Sequence, residues 1–247
     1  NESYKKIAIE RGGKKPEDVF IVRSAPSLAK FKLYEPDASF KNGKPNLIVY
    51  LGEMGPQDGV DNLIRAVRVL HDDFDRKDFH CVLIGGGTHQ PTVAAYAEEI
   101  GVDHLCTFTG IVSDEMLCRI LSSADIAVDP LPKNGWSDRS TMNKVLEYMF
   151  FGLPIVVGEL TEARVSADAA ALYVEPGSAP AMAEGIAALL DDPQRRREMG
   201  GFGQQRLRNA LAFEYSVPHL LAAYDAAWAR TRRAHAPGAG MVSTQTR

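Results

Sequence analysis

The chain has 247 residues, 45% of them hydrophobic and 24% charged, with a formal net charge of −4. This is the composition of a globular protein with room for one large domain, and it excludes a broad nucleic-acid-binding surface, which needs a basic face. No apolar run reaches the roughly 18 residues of a membrane span, and no segment reads as a signal peptide, so a cytoplasmic location is expected.

The opening NESYKK begins an amphipathic helix over about residues 2–11, already under way without a leading methionine. The chain therefore reads as a piece of something longer. VFIVR (19–23) and a loop with Pro26, Pro36, Asn42, Gly43 and Pro45 follow, so residues 1–46 are read as the remnant of a preceding domain plus a linker. From Leu47 the pattern is regular. LIVYL (47–51) predicts a strand closed by Gly52, VDNLIRAVRVL (60–70) a helix, FHCVLIG (79–85) a strand and PTVAAYAEEIG (91–101) a helix. CTFTG (106–110) is a strand, SDEMLCRILSSA (113–124) a helix capped by Ser113, and DIAVDP a strand. Next come a helix beginning near Ser140, a short strand PIVV, a short helix in EARVSADA and a strand ALYVE (171–175). PAMAEGIAALLDD, PQRRREMGGFGQQRLRNAL and VPHLLAAYDAAWAR are helices. This alternation predicts an α/β fold: a Rossmann-like, doubly wound parallel sheet of about six strands with right-handed crossovers. It would occupy residues 47–232, with a mobile tail over 233–247.

Cys81, Cys106 and Cys118 sit in apolar surroundings without metal-ligand spacing, so they read as buried thiols, and no metal site is expected. Arginines cluster late, at 195–197, 206, 208, 230, 232 and 233. Solvated helix faces explain them; the sharper reading is a patch for anionic lipid and peripheral membrane contact.

The segment SDRSTMNKVLEYMFFGLPIVV carries the chemistry. At about 100° per residue, Met142, Val145, Leu146 and Met149 share one helix face, and Ser140, Asn143, Lys144 and Glu147 the opposite one. The helix follows a strand and a loop, the place where open α/β sheets bind ligands. Its first N–H groups and positive dipole end suit an anion, with Lys144 and Arg139 beside them. The polar face reads as a phosphate and ribose site, with Glu147 accepting from two sugar hydroxyls. Three glycine segments flank it. LGEMGPQDG, with Gly52 and Gly55, follows the first strand, and LIGGGTHQ, with Gly86, follows the second. The latter departs from G-x-G-x-x-G at Gln90, which argues against a dinucleotide-binding dehydrogenase. FTGIV places Gly110 and Ile111 where backbone atoms could read a flat base.

Taken in order, VYLGEMGPQDGVDNLIRAVRVL, LIGGGTH, FTGIVSDEML, ADIAVDP, STMNKVLEYMFFGLPIVV, ALYVEPGS and LLDDP…RREMG resemble the C-terminal half of a GT-B glycosyltransferase of family 4, the group 1 transferases. The resemblance spans about residues 47–230. It implies the donor-binding half of a retaining enzyme, which moves a sugar from a UDP- or GDP-type donor to a glycan, lipid or small-molecule acceptor, with no cofactor besides the donor. By the same resemblance Glu147 is the second acid of the family's E-x7-E motif and holds the ribose. The backbone of Ser140, Thr141, Met142 and Asn143 cradles the diphosphate, and Gly110 to Val112 contact the base.

Three departures accompany it. The first acid of E-x7-E would fall on Arg139, with Asp138 adjacent as its substitute in the catalytic position. The basic residues that the family carries in the first loop are replaced by Glu53 and Asp58, whose charges would repel a diphosphate. Lys144, Arg139 and Arg164 are the expected replacements. The alternative function is a nucleotide- or partner-binding module without catalysis.

Overall fold

The computed structural model describes residues 1–234, and these divide into two compact units, one of residues 1–22 and 214–234 and one of Arg23–Phe213. The first unit holds helix α1 (Glu2–Glu10), capped by the Asn1 side chain, and the long closing helix α9 (Val217–Ala234). Arg230 of α9 pairs with Asp18. Beyond Ala234, the tail expected to be mobile lies outside the described residues.

The second unit is a six-stranded parallel sheet in the order β3-β2-β1-β4-β5-β6. Its strands are β1 (Asn46–Leu51), β2 (Phe79–Ile84), β3 (Cys106–Gly110), β4 (Ile126–Asp129), β5 (Ile155–Gly158) and β6 (Ala171–Val174). The helices are α2 (Val60–Arg68), α3 (Gln90–Glu99), α4 (Asp114–Ser123), α5 (Asn143–Phe150), α6 (Thr161–Ala167), α7 (Ala179–Leu190) and α8 (Pro193–Arg206). The expected doubly wound architecture is the one observed. The Ser113 hydroxyl caps α4 by accepting the Met116 N–H at 3.2 Å.

Central strands covered on both faces need uninterrupted apolar runs, and β2 is buried along its whole length. Along β1 the side chains alternate. Ile48 and Tyr50 face a core with Leu63 and Val67 of α2 and Ile186 of α7. Leu47 and Val49 face a second core with Val145, Leu146 and Met149 of α5 and Leu121 of α4.

The linker is built into this unit rather than preceding it. The Tyr34 and Asp37 N–H groups donate to the Ser122 and Ser123 hydroxyls at the end of α4, at 3.1 and 2.9 Å. Asp125 accepts from the Leu47 N–H at 2.8 Å and from Lys41 at 2.7 Å. The compact unit accordingly begins at Arg23, not at Leu47, and α9 groups with the N-terminal segment. Linker backbone amides that bond to α4 hydroxyls carry no periodic signal, so a periodicity reading starts the domain only at its first strand.

The strand order reverses between β1 and β4, while every strand stays parallel. β1 pairs with β2 over its full length, from Asn46↔Phe79 to Leu51↔Ile84. With β4 it pairs only at Ile48↔Ile126 and Val49↔Ala127. Beyond those two pairs the strands part, and this is the topological switch point at which such sheets hold ligands.

Candidate functional site

The switch point is bounded by the loop after β1, the end of β4 and the start of α5. Gly52 follows β1 at φ 152°, and its neighbour Gly85, after β2, adopts φ 122°. A Cβ on Gly85 would sit 2.0 Å from the Gly52 carbonyl oxygen, so the two loops touch backbone to backbone and only glycine fits. A Cβ on Gly52 would lie 2.9 Å from Lys144 Nζ. The first loop, after β1, thus rests directly on the cation that the helix supplies.

Lys144 does not lie on an open polar face. Its side chain is only 10% exposed. Nζ lies 3.3 Å from the Tyr50 hydroxyl, 4.4 Å from the centre of the Tyr50 ring and 3.5 Å from the Asp129 carboxylate. Burial works against its charge, but Asp129, Tyr50 and Asp58 outweigh burial and hold the ammonium above the ordinary lysine value. Asp129, at the end of β4, is fully buried, and neither of its oxygens has a hydrogen-bond partner. Burial pushes the Tyr50 hydroxyl up to about 12, so it stays protonated and donates to the Glu53 carbonyl at 2.6 Å.

Helix α5 begins at Asn143, one turn later than its sequence predicts. Ser137–Arg139 form a 3-10 turn, and Ser140 and Met142 are extended. The cause is local hydroxyl bonding, which competes with helix formation. The Ser140 hydroxyl donates to the Trp136 carbonyl at 2.8 Å, and the Ser137 hydroxyl to the Pro132 carbonyl at 2.6 Å. No side chain caps α5, so its first turn of N–H groups starts uncapped, and Asn143 is exposed there. Met142 packs on the core. Thr141 is tied away from the crevice: its hydroxyl accepts from Arg23 and donates to Glu162, both at 3.4 Å.

Glu147 is half-buried, and burial raises its carboxyl above the usual range against the pull of Lys30 and Lys144. The charge of Asp114, which follows the Gly110–Val112 loop, adds to that rise. Gly110 turns at φ 66°, and Ile111 is 90% exposed at the end of β3. A Cβ on Gly86 would lie 3.3 Å from Ile111. The structure thus brings Gly86 beside Ile111, and Lys144 beside Gly52.

Other expected residues are engaged elsewhere. Asp138 accepts from the Thr161 N–H at 2.9 Å and from its hydroxyl at 3.0 Å, which fastens the first turn of α6. Those bonds, with Lys133, hold its carboxyl below the ordinary aspartate value. Arg139 donates to the Gly135 carbonyl at 2.7 Å. Arg164 pairs with Glu159 at 2.8 Å and stacks 4.3 Å from the Tyr173 ring centre. In the first loop Asp58 turns inward, accepting from the Gly55 N–H at 2.8 Å and from Gln57 at 3.2 Å, while Glu53 is exposed. The arginine cluster is also partly consumed. Arg196 donates to the Leu189 and Leu190 carbonyls at the end of α7, and Arg206 to the Val165 and Ser166 carbonyls at the end of α6.

Sequence reasoning missed Asp129, Tyr50, Tyr148 and Arg23. The position of Asp129 at a strand's carboxyl end was a usable signal; the others have partners far off in sequence. Arg23 reaches Ser166 at 3.0 Å and the buried Glu162 at 3.8 Å. Among the described residues no cluster of His, Cys, Asp or Glu is placed to hold a metal ion, and no helix is long and apolar enough to cross a membrane.

Comparison with known proteins bears on the family and the fold. The family model for "Glycosyl transferases group 1" matches residues 45–192. A GDP-mannose-dependent alpha-(1-6)-phosphatidylinositol monomannoside mannosyltransferase of Mycobacterium tuberculosis is 28% identical over 170 residues, covering 67% of this chain and 44% of that protein. An MMP alpha-(1->4)-mannosyltransferase of Mycolicibacterium hassiacum is 26% identical over 219 residues, covering 87% and 50%. The chain spans at most about half the length of these curated relatives. Among solved structures, sucrose-phosphate synthase of Thermosynechococcus elongatus superposes with a TM-score of 0.69 at 20% identity, covering 85% of this chain and 52% of that one. Anabaena HepE in complex with UDP gives 0.75 at 13% identity, covering 92% and 62%. At such identities the structural likeness speaks for the fold, which is that of the GT-B glycosyltransferases.

Proposed function

The chain belongs to the group 1 glycosyltransferases, and from that membership we propose that it forms the donor-binding half of a retaining glycosyltransferase. The enzyme moves a sugar from a UDP- or GDP-type nucleotide donor to an acceptor glycan, lipid or small molecule. One observation carries the reading: at the β1/β4 switch point a glycine backbone, an uncapped helix start and a charged lysine converge.

In this reading the diphosphate lies against Gly52 and the first amides of α5, with Lys144 beneath it. Glu147 accepts from the ribose hydroxyls, and the base rests between Gly86 and the Gly110–Val112 loop. Bond breaking places negative charge on the leaving phosphate as the anomeric carbon passes to the acceptor oxygen. Fixed N–H dipoles and a cation already in place stabilise that charge without reorganisation. Asp138 is committed to α6 and Arg139 to Gly135, so neither is assigned a part in bond breaking. Arg164 is likewise left out of the phosphate site.

A specific observation favours the second reading, a nucleotide-binding module without catalysis: Asp129 offsets the charge of Lys144, and Asp58 adds another carboxylate nearby. The test is calorimetric titration of this chain with UDP, GDP and ADP, followed by a transfer assay on a longer form of the protein that supplies the other wall of the cleft. Binding of one diphosphate together with sugar transfer supports the first reading. Binding without transfer supports the second, and no binding at all defeats both.

A further inference from the structure

We propose that Asp129 is a positioning residue for the donor diphosphate, its buried carboxylate docking the Lys144 ammonium against Gly52 where the cleft meets the sheet. The proposal rests on the reading of Lys144 as the phosphate-binding cation.

Asp129 is fully buried, and no hydrogen bond reaches either oxygen. A buried carboxylate in that condition is costly unless a counter-charge stands beside it. The structure supplies one, Lys144 Nζ at 3.5 Å. The dependence is mutual. A lysine on the polar face of a surface helix ordinarily extends into water. Lys144 instead folds back over the Tyr50 ring, 4.4 Å from its centre, and stays nine-tenths covered. An ammonium has three N–H donors. Tyr50 and Asp129 face two of its sides, and the missing Cβ of Gly52 leaves the third against the loop after β1.

The groups around this ammonium are Asp129 from β4, Tyr50 from β1, Asp58 from the loop after β1, and Glu147 on its own helix. All are acids or a neutral phenol. Of the three carboxylates only Asp129 combines full burial with direct contact. Without it, burial favours the neutral amine or sends the side chain out to solvent. Either way the fixed point charge beside Gly52 is lost. Asp129 never touches the ligand; it acts through Lys144.

The experiment titrates GDP and UDP into the 247-residue chain, with guanosine and uridine as uncharged controls, between about pH 6 and pH 9. Asp129→Asn is expected to lose more than about tenfold in diphosphate affinity near pH 9, to regain part of it near pH 6, and to bind the nucleosides as the wild type does. The double variant with Lys144→Met should bind diphosphate no worse than Lys144→Met alone. If Asp129→Asn binds diphosphate as tightly as the wild type at both pH values while Lys144→Met weakens it, the role of Asp129 is overturned and Lys144 stands. If Lys144→Met itself changes nothing, the phosphate reading of Lys144 falls and the proposal with it. Should Asp129→Asn fail to fold, the wild-type Lys144 ammonium is titrated by NMR through its ε-carbon. Loss of its proton below the ordinary lysine value would also overturn the proposal.

Discussion

The Tyr148 hydroxyl accepts the Leu51 N–H at 2.7 Å and donates to the Val128 carbonyl at 3.1 Å. These two backbone groups belong to β1 and β4 just where the ladder between them stops. A side chain of α5 therefore bridges the sheet at the floor of the crevice.

Tyr148→Phe should expose the value of that bridge. The ring stays packed, but a buried N–H and a buried carbonyl lose their shared partner at about 1–3 kcal/mol each. A loss of about 2–4 kcal/mol in urea unfolding, with unchanged slope, is expected. A loss below about 0.5 kcal/mol would mean that water or local backbone shifts replace the hydroxyl.

Lys144→Met leaves Asp129 buried without its counter-charge, and breaking such a pair costs about 3–5 kcal/mol. Adding Asp129→Leu removes the stranded carboxylate, and the double variant should recover most of that loss in the same unfolding measurement. A double variant as unstable as the single one would show that the loss comes from packing, not charge.

Glu147→Ala should weaken nucleotide binding by about 1.5–3 kcal/mol, the range for hydrogen bonds to charged groups, with little change in the melting temperature of the free chain. The pH dependence has a definite sign. Burial raises the folded-state value of Glu147, so its contribution to stability is full below the unfolded value and is lost as pH rises through the folded one. Glu147→Gln should accordingly gain on the wild type as pH rises past about 4.5. A gain on acidification instead would contradict the buried placement.

Asp138→Ala should cost about 1 kcal/mol, as loss of a helix-start acceptor does. Its folded-state value is depressed by the bonds to Thr161. The contribution is therefore present above the unfolded value and lost as pH falls through the folded one. Wild type and variant should converge in acid. If they differ equally at acid and neutral pH, the carboxylate is not what holds α6.

Most of the sheet was legible because parallel strands and amphipathic helices write their periods directly into the chain. Ser113 announced α4, and Val145, Leu146 and Met149 announced the buried face of α5. The start of α5 was misplaced at Ser140 because hydroxyl-to-carbonyl bonds in 137–140 compete with helical ones and leave no mark on a helical wheel. The same wheel put Lys144 on an open polar face opposite the core. It treats a helix as a cylinder in water, whereas α5 lies with its first turn over the ends of β1 and β4. Tyr148, Asp129 and Arg23 find their partners across the fold. A residue's role there is set by what other strands bring to it, and periodicity does not encode that.

The short β1/β4 ladder also bears on how the protein assembles. β1 to β3 join through connections between sequence neighbours, as do β4 to β6. Ile48 must find Ile126 across everything between them. Closing that long loop costs entropy before any contact repays it, which delays such pairings. The two halves of the sheet are expected to form as separate cooperative units, with the seam closing last and opening first. Native-state hydrogen exchange should find the Leu51 amide, held by Tyr148, opening at lower free energy than amides inside β2. Equal protection at both would mean a single cooperative sheet. Because the crevice exists only once the seam has closed, a nucleotide bound there would draw its stabilising effect from the final folding step and slow unfolding rather than speed collapse.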